Sequence, residues 1–425
     1  MSEWFSNALT RAQDLTELAE QQWLAPIRAK AISQLKNTRW PNRKTEAWRY
    51  TPLRAVERTL ASVKNADAAE KGLVPAVIEG LSAIEVVFVN GEFSEALSTQ
   101  VLPAGLSIVL GSQLDNRDDL LDALSEIKPE RHLFGMLNDA LVQEVVWIKV
   151  AQGVSIDVPI RITNLSSQAA ESHVKAFVSV EEGAQVTVLE MAGSNGQTLS
   201  TGFTEYDLAK DSRLEHYRFA LQTDDNVSVG GCHFRLGEAA QLNSNIIGFG
   251  SDLQRLDTDI IYAGENANAK LNAVYLLDGN ELFDLHATVE HAVPNCVTEE
   301  NIRGIVADRA RAVFNGRIHI HRDAQKTLAE LNNRNLLMSD KAEINTKPEL
   351  EIYADDVRCA HGATVAEIDK QALYYLQTRG ISRSKAQVML NFGFINELID
   401  QMPNEVIAQW VRPIIRNRFE QMEVK

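Results

Sequence analysis

Cys359 and His361 place a thiol and an imidazole two residues apart, with Asp355 and Asp356 just ahead of them. A sulfur and a nitrogen at that spacing can hold one soft metal ion if the backbone turns between them. The acidic pair attracts a cation to the same place. The segment follows ELEIYA (349–354), the last strand that the pattern predicts, and precedes the first C-terminal helix, so a loop is expected to aim both side chains outward. His319 and His321 form a second pair, two apart in a predicted strand, with both rings on one face. Histidine pairs on strands are more commonly just solvent-facing partners. His286 and His291 flank a strand that leads to Cys296, and imidazole with thiolate suits iron, zinc or copper. Cys232 and His233 are neighbours on a strand and face opposite ways, and Cys232 is read as a small buried hydrophobe.

Other chemistry is missing. The dipeptide Gly-Lys never occurs, so there is no phosphate loop and no nucleotide is expected to be bound directly by that route. The run GFG at 248–250 lacks the third glycine and the strand-to-helix setting of a dinucleotide site. Neither a G-x-S-x-G elbow nor an H-E-x-x-H helix is present. The chain does not read as an enzyme.

The elements that must position Cys359 and His361 fall into three blocks. Of the 425 residues, 42 are Lys or Arg and 58 are Asp or Glu, and the formal charge of −16 is concentrated in residues 81–362, where 42 acids face 22 bases. An acidic surface repels phosphate backbones and anionic lipid, so neither nucleic acid nor membrane is an expected partner. Three cysteines without a C-x-x-C pair make no disulfide framework. MSEWFSNALTRAQDL shows no basic segment followed by an apolar run, and no stretch approaches the roughly 18 apolar residues of a spanning helix. A cytoplasmic location is expected.

Residues 1–80 read as helical, with Leu9, Ala12, Leu15, Leu18, Ala19, Trp23, Ile27 and Ala31 on one stripe. Pro41 and Pro52 break that pattern within NTRWPNRKTEAWRYTPL, and Trp40, Trp48 and Tyr50 in that break are expected to pin a loop onto a core. Residues 81–362 are a procession of short β-branched runs joined by a few Gly, Asn and Asp residues. So many strands exceed what a sandwich needs and suit a β-solenoid, in which each coil buries its face on the next. No strict hexapeptide or nonapeptide period accompanies them. Residues 363–425 return to a helical period, with Val365, Ile368, Ala372, Tyr375 and Leu376 on one predicted helix and two more helices behind it.

Two runs, HATVEHAVPNCVTEENIRGIVADRARAVFNGRIHI and AQKTLAELNNRNLLMSDKAEINTKPELEIYADDVRCAHGATV, closely resemble the SufB/SufD family of iron–sulfur cluster assembly proteins. The likeness extends over about residues 284–400, and RKTEAWRYTPL together with Cys-x-His-Gly-Ala-Thr looks like the SufD branch. The resemblance implies a mainly β fold, a right-handed parallel β-helix with α-helical segments at both ends. It further implies a scaffold subunit that pairs with SufB through the β-helix and carries the ATPase SufC on its C-terminal helices. An iron–sulfur cluster would form transiently at the SufB interface, where the family pattern implicates His361, with Cys359 beside it, as iron or cluster ligands. Support of iron acquisition belongs to the same role. ATP hydrolysis then belongs to the partner, as the missing phosphate loop suggests. An isolated chain has the same edge strand available for a homodimer. Two other readings stay open: a sulfur-accepting scaffold like SufB, and a glycan-active enzyme on a β-helix with acids along a groove.

Overall fold

The computed structural model describes residues 2–58, 73–167, 170–223, 225–367 and 369–422. The strands within them make two sheets, one of ten and one of nine. From Val145 onward, successive strands alternate between the sheets, and those from Ile160 through Leu337 each pair in parallel with a strand on either side. The result is a β-solenoid of about eight turns, with α-helical segments at both ends of the chain.

Coil length explains why no short repeat is visible. It runs from 26 residues, the separation of Val227 and its ladder partner Leu253, to 32, that of Arg311 and Glu343. The strands stay in register because length changes are taken up in the turns. One corner of successive coils carries a left-handed residue, Gly183 (φ 68°), Asp211 (φ 55°), Ala239 (φ 54°), Asn266 (φ 62°) and Asn295 (φ 62°). Glycine, Asn and Asp adopt that conformation most readily, and the Gly, Asn and Asp of the connections supply them. The corners also stack: the Gly183 N–H donates to the Lys210 carbonyl and the Asp211 N–H to the Glu238 carbonyl.

Alternate residues of each strand point inward and fill the space between the sheets, as with Val174, Ala176, Val178 and Val180, or Leu285, Ala287 and Val289. The outer faces are covered as well. Helices Glu3–Glu17 (α1) and Ala25–Asn37 (α2), the short Arg54–Arg58 (α3), and two further helices lie on the side of the nine-stranded sheet. Those two, Asp118–Glu126 (α4) and Leu133–Leu141 (α5), fall inside the block expected to hold strands only. Every residue of α5 is buried, so no polar face marks its helical period. Trp40 and Trp48 pack on Phe134 of α5 and pin their loop as expected, whereas Tyr50 is exposed.

Helices Lys370–Thr378 (α6), Arg383–Asp400 (α7) and Glu405–Gln421 (α8) cover the ten-stranded sheet through Leu373, Ile395, Ile399, Ile407, Val411 and Ile415. None of the helices is long and apolar enough to cross a membrane among the described residues. Two expectations are corrected here. ELEIYA is not the final strand: the strand Glu343–Ile352 is followed by one more, Arg358–Glu367, in the other sheet. Val365 therefore belongs to a strand, α6 starts at Lys370, and Ile368 lies outside the described residues. A period-2 reading of RCAHGATVAE was masked because its alternate residues are not apolar; tertiary pairing with Leu328–Leu337 makes the strand.

Candidate functional site at the open end of the solenoid

The solenoid ends in two strands that are each paired along one edge only. Glu343–Ile352 pairs with Arg311–Ile320, and Arg358–Glu367 with Leu328–Leu337. No described segment covers their far edges, which present unpaired N–H and C=O groups. Cys359 and His361 lie on the second of these strands, not on a loop. The expected outward aim is thereby replaced by a definite direction. Cys359 is level with Ala329 and His361 with Leu331, both fully buried between the sheets in the coil beneath. Thiol and imidazole thus share the inward face of a coil above which no described segment lies.

The consequence is graded exposure. Cys359 is half-buried and, like Ile344, Leu350 and Val357, packs on the apolar interior, whereas Ala360 through Glu367 are exposed. Burial pushes the Cys359 thiol above its ordinary pKa, so it stays protonated at neutral pH until a metal or a cation approaches. Cα atoms at i and i+2 of a strand are roughly 7 Å apart, a spacing that a multinuclear cluster spans. Among the described residues no third Cys, His or carboxylate closes a ligand set around them. Asp355 and Asp356 are exposed beside the strand. The Asp356 backbone is tied to Gln325 and Lys326 of the coil below.

Just beneath the rim the interior is polar. The Thr346 hydroxyl and the Asn335 amide donate to Asn333 Oδ1 at 2.8 and 2.7 Å, and the Tyr275 hydroxyl donates to Asn335 Oδ1 at 2.5 Å. In the column of Leu331 and His361, one coil deeper, stands Glu300. It is fully buried, both its oxygens lack a hydrogen-bond partner, and desolvation pushes its pKa up to about 8. No sequence pattern announced it, because its column neighbours are about 30 residues away.

The other predicted ligands separate. His286 and His291 lie on opposite faces of one strand. His286 pairs with Asp284 on the outside at 3.0 Å, and His291 is buried inside against Tyr262. Neither joins Cys296, whose thiol lies 3.5 Å from the Gly264 and Pro294 carbonyls. His233 turns out of the solenoid but is covered, within 2.8 Å of Asp259 and stacked on His132 beside α5. Cys232 is buried as read, yet not in apolar surroundings: its thiol donates to Glu190 Oε1 at 3.2 Å. Burial, then the Glu190 charge, raises its pKa well above the ordinary value. Cys296 is raised by burial too. None of the three thiols is activated as a nucleophile. His319 and His321 do share a face, and Glu290 of the neighbouring strand joins them.

Comparison with known proteins follows the same lines. A family model described as the SUF system FeS cluster assembly SufBD core domain matches residues 162–394, and one for the SufBD protein N-terminal region matches residues 2–162. The chain is 32% identical to the iron–sulfur cluster assembly protein SufD of Escherichia coli, over 97% of each chain. It is 28% identical to an iron–sulfur cluster assembly SufBD family protein of Synechocystis, over 92% of this chain and 90% of the other. Similarity to SufD of Bacillus subtilis is 23% over 69% of this chain and 68% of that one.

Proposed function

The chain belongs to the SufBD family of iron–sulfur cluster assembly proteins, and from that premise we propose that it is a SufD-like scaffold subunit whose open rim is completed by SufB. The observation that carries this reading is the unpaired strand Arg358–Glu367 with Cys359 and His361 on its inward face. Adding a partner strand satisfies the edge groups and extends both sheets across the seam. It also brings the further ligands that this chain lacks around Cys359 and His361. A cluster assembled there is cargo held between two polypeptides, and separating them releases it. Cytoplasmic location and the absence of an activity of its own belong to the same reading.

ATP hydrolysis is assigned to SufC, since the sequence holds no phosphate loop. Its docking place is the C-terminal helical unit, where Tyr374, Tyr375, Met389 and Leu390 stay exposed on α6 and α7. The sulfur-accepting alternative is weakened by the three raised thiols.

The test is to co-express the chain with SufB and SufC and measure stoichiometry, bound iron and acid-labile sulfide. His361→Ala is expected to leave the complex assembled, since an exposed substitution changes stability by no more than about 0.5 kcal/mol. Cluster content is expected to fall roughly tenfold or more. Cys359 should become protected from alkylation when SufB is present. Unchanged iron and sulfide in the variant, or Cys359 equally reactive in the complex, would refute the seam.

A further inference from the structure

We propose that Glu290, His319 and His321 form a binding site for one divalent first-row transition-metal ion on the outer face of the nine-stranded sheet. His319 is the penultimate residue of the strand Arg311–Ile320, and His321 follows it directly. The ladder register sets His319 opposite Glu290 on one side and Glu351 on the other. Backbone pairing therefore sets Glu290 beside His319, and the His321 N–H, donating to the His291 carbonyl at 2.9 Å, fixes the residue that follows the strand. One ligand atom from each lies within 4.8 Å of the others. The imidazoles stack at 4.5 Å between ring centroids, and His321 Nε2 is 2.7 Å from Glu290 Oε1.

In an occupied site with bonds near 2.1 Å, neighbouring donor atoms are about 3 Å apart, so rotation of side chains alone closes the geometry. Two imidazoles and one carboxylate on one side of an ion leave its remaining positions to water, the arrangement that suits ferrous iron. The side chains of His321 and Glu290 are 42% and 35% exposed, so an ion can enter and leave. Glu351 is not a competing ligand, because Arg317 holds both its oxygens at 3.0 and 2.7 Å. Tyr353 stands edge-on to His319 at 5.5 Å and walls the other flank. A plain surface pair between His321 and Glu290 accounts for one hydrogen bond but not for a second imidazole stacked on the first.

The site stands on this chain alone and does not rest on the scaffold reading. It sits one strand from the rim, about 5 Å in the ladder direction, but on the outer face rather than the inner one. The full chain, stripped of metal, is titrated with Co(II) in an optical spectrometer and with Fe(II) under anaerobic conditions by calorimetry. One equivalent is expected to bind, with Co(II) showing ligand-field bands. His319→Ala and His321→Ala should each weaken binding roughly tenfold or more, and the double variant should abolish it. Glu290→Gln, which keeps shape and a hydrogen bond, should weaken it too. Circular dichroism and the unfolding midpoint should be unaltered in the variants. Absence of saturable binding, or an undiminished equivalent in the folded double variant, would overturn the site.

Discussion

Replacing Glu190 by Ala is expected to lower the unfolding free energy by about 3–5 kcal/mol, the cost of leaving a buried ion without its partner. Glu190 lies inside the solenoid and is 2% exposed. It accepts from the Thr204 hydroxyl at 2.7 Å, the Tyr206 hydroxyl at 2.7 Å, His216 Nε2 at 3.0 Å and the Cys232 thiol at 3.2 Å. An ion pair with Arg218 completes the set. Burial alone raises the Glu190 pKa, but Arg218, His216 and Tyr206 overcome it and hold the carboxyl far below its ordinary value. Its contribution is therefore complete above the ordinary glutamate value near 4.5 and is lost as pH falls toward the folded value. Loss of Glu190 leaves the Arg218 guanidinium unpaired between the sheets and strands four further donors. Denaturant unfolding of both proteins at neutral pH measures this. A difference below about 1 kcal/mol would mean that water or a rearranged side chain takes over the anion's place.

Glu300→Gln is expected to act in the opposite direction and to show itself through pH. With a folded pKa near 8 against 4.5 in its ordinary state, Glu300 is protonated in the folded chain and ionised in the unfolded one throughout that interval. The folded state then holds one more proton, so stability falls by about 1.4 kcal/mol per pH unit as pH rises from about 4.5 to 8 and levels off above. The glutamine has no such proton. Its stability relative to the parent chain should grow by about 3–5 kcal/mol between pH 5 and pH 8.5. An unbonded buried amide also carries a cost, but that cost is the same at every pH and leaves the slope untouched. Parallel stability curves for the two proteins would show that Glu300 finds a partner or water when it ionises. The position beneath His361 gives the measurement a second use: a chain joined across the rim and the chain alone can be compared for the same slope.

Much of the architecture was legible because it rests on local chemistry. Alternation in runs such as DLHATVEHA and AKLNAVYLL marks strands, and the number of those runs excludes a simple sandwich. The helical stripes at both ends belong to amphipathic elements that cover the sheets. What escaped had lost its local signature. α5 is buried on all sides, so its period is invisible. The last strand has no coil above it, so its inward positions are not apolar and it reads as a loop. Cys232 and His233 were expected to divide into one core and one exposed residue. Both are buried, because an outer face that faces water in a lone sheet is here roofed by α5.

The sequence by itself determined the class of fold, the absence of a phosphate loop, the family resemblance and the pair Cys359 and His361. Period, composition and short motifs are properties of adjacent residues, and they survive without knowledge of the fold. Tertiary structure alone decided which side chains meet: Glu290 with His319 and His321, Glu190 with Arg218 and Cys232, Glu300 in the column of His361. Those neighbours are a coil or more apart, and coils vary from 26 to 32 residues because their turns absorb insertions. Each strand's register is the sum of turn lengths before it and the pairing energy of whole ladders, neither of which any one segment records.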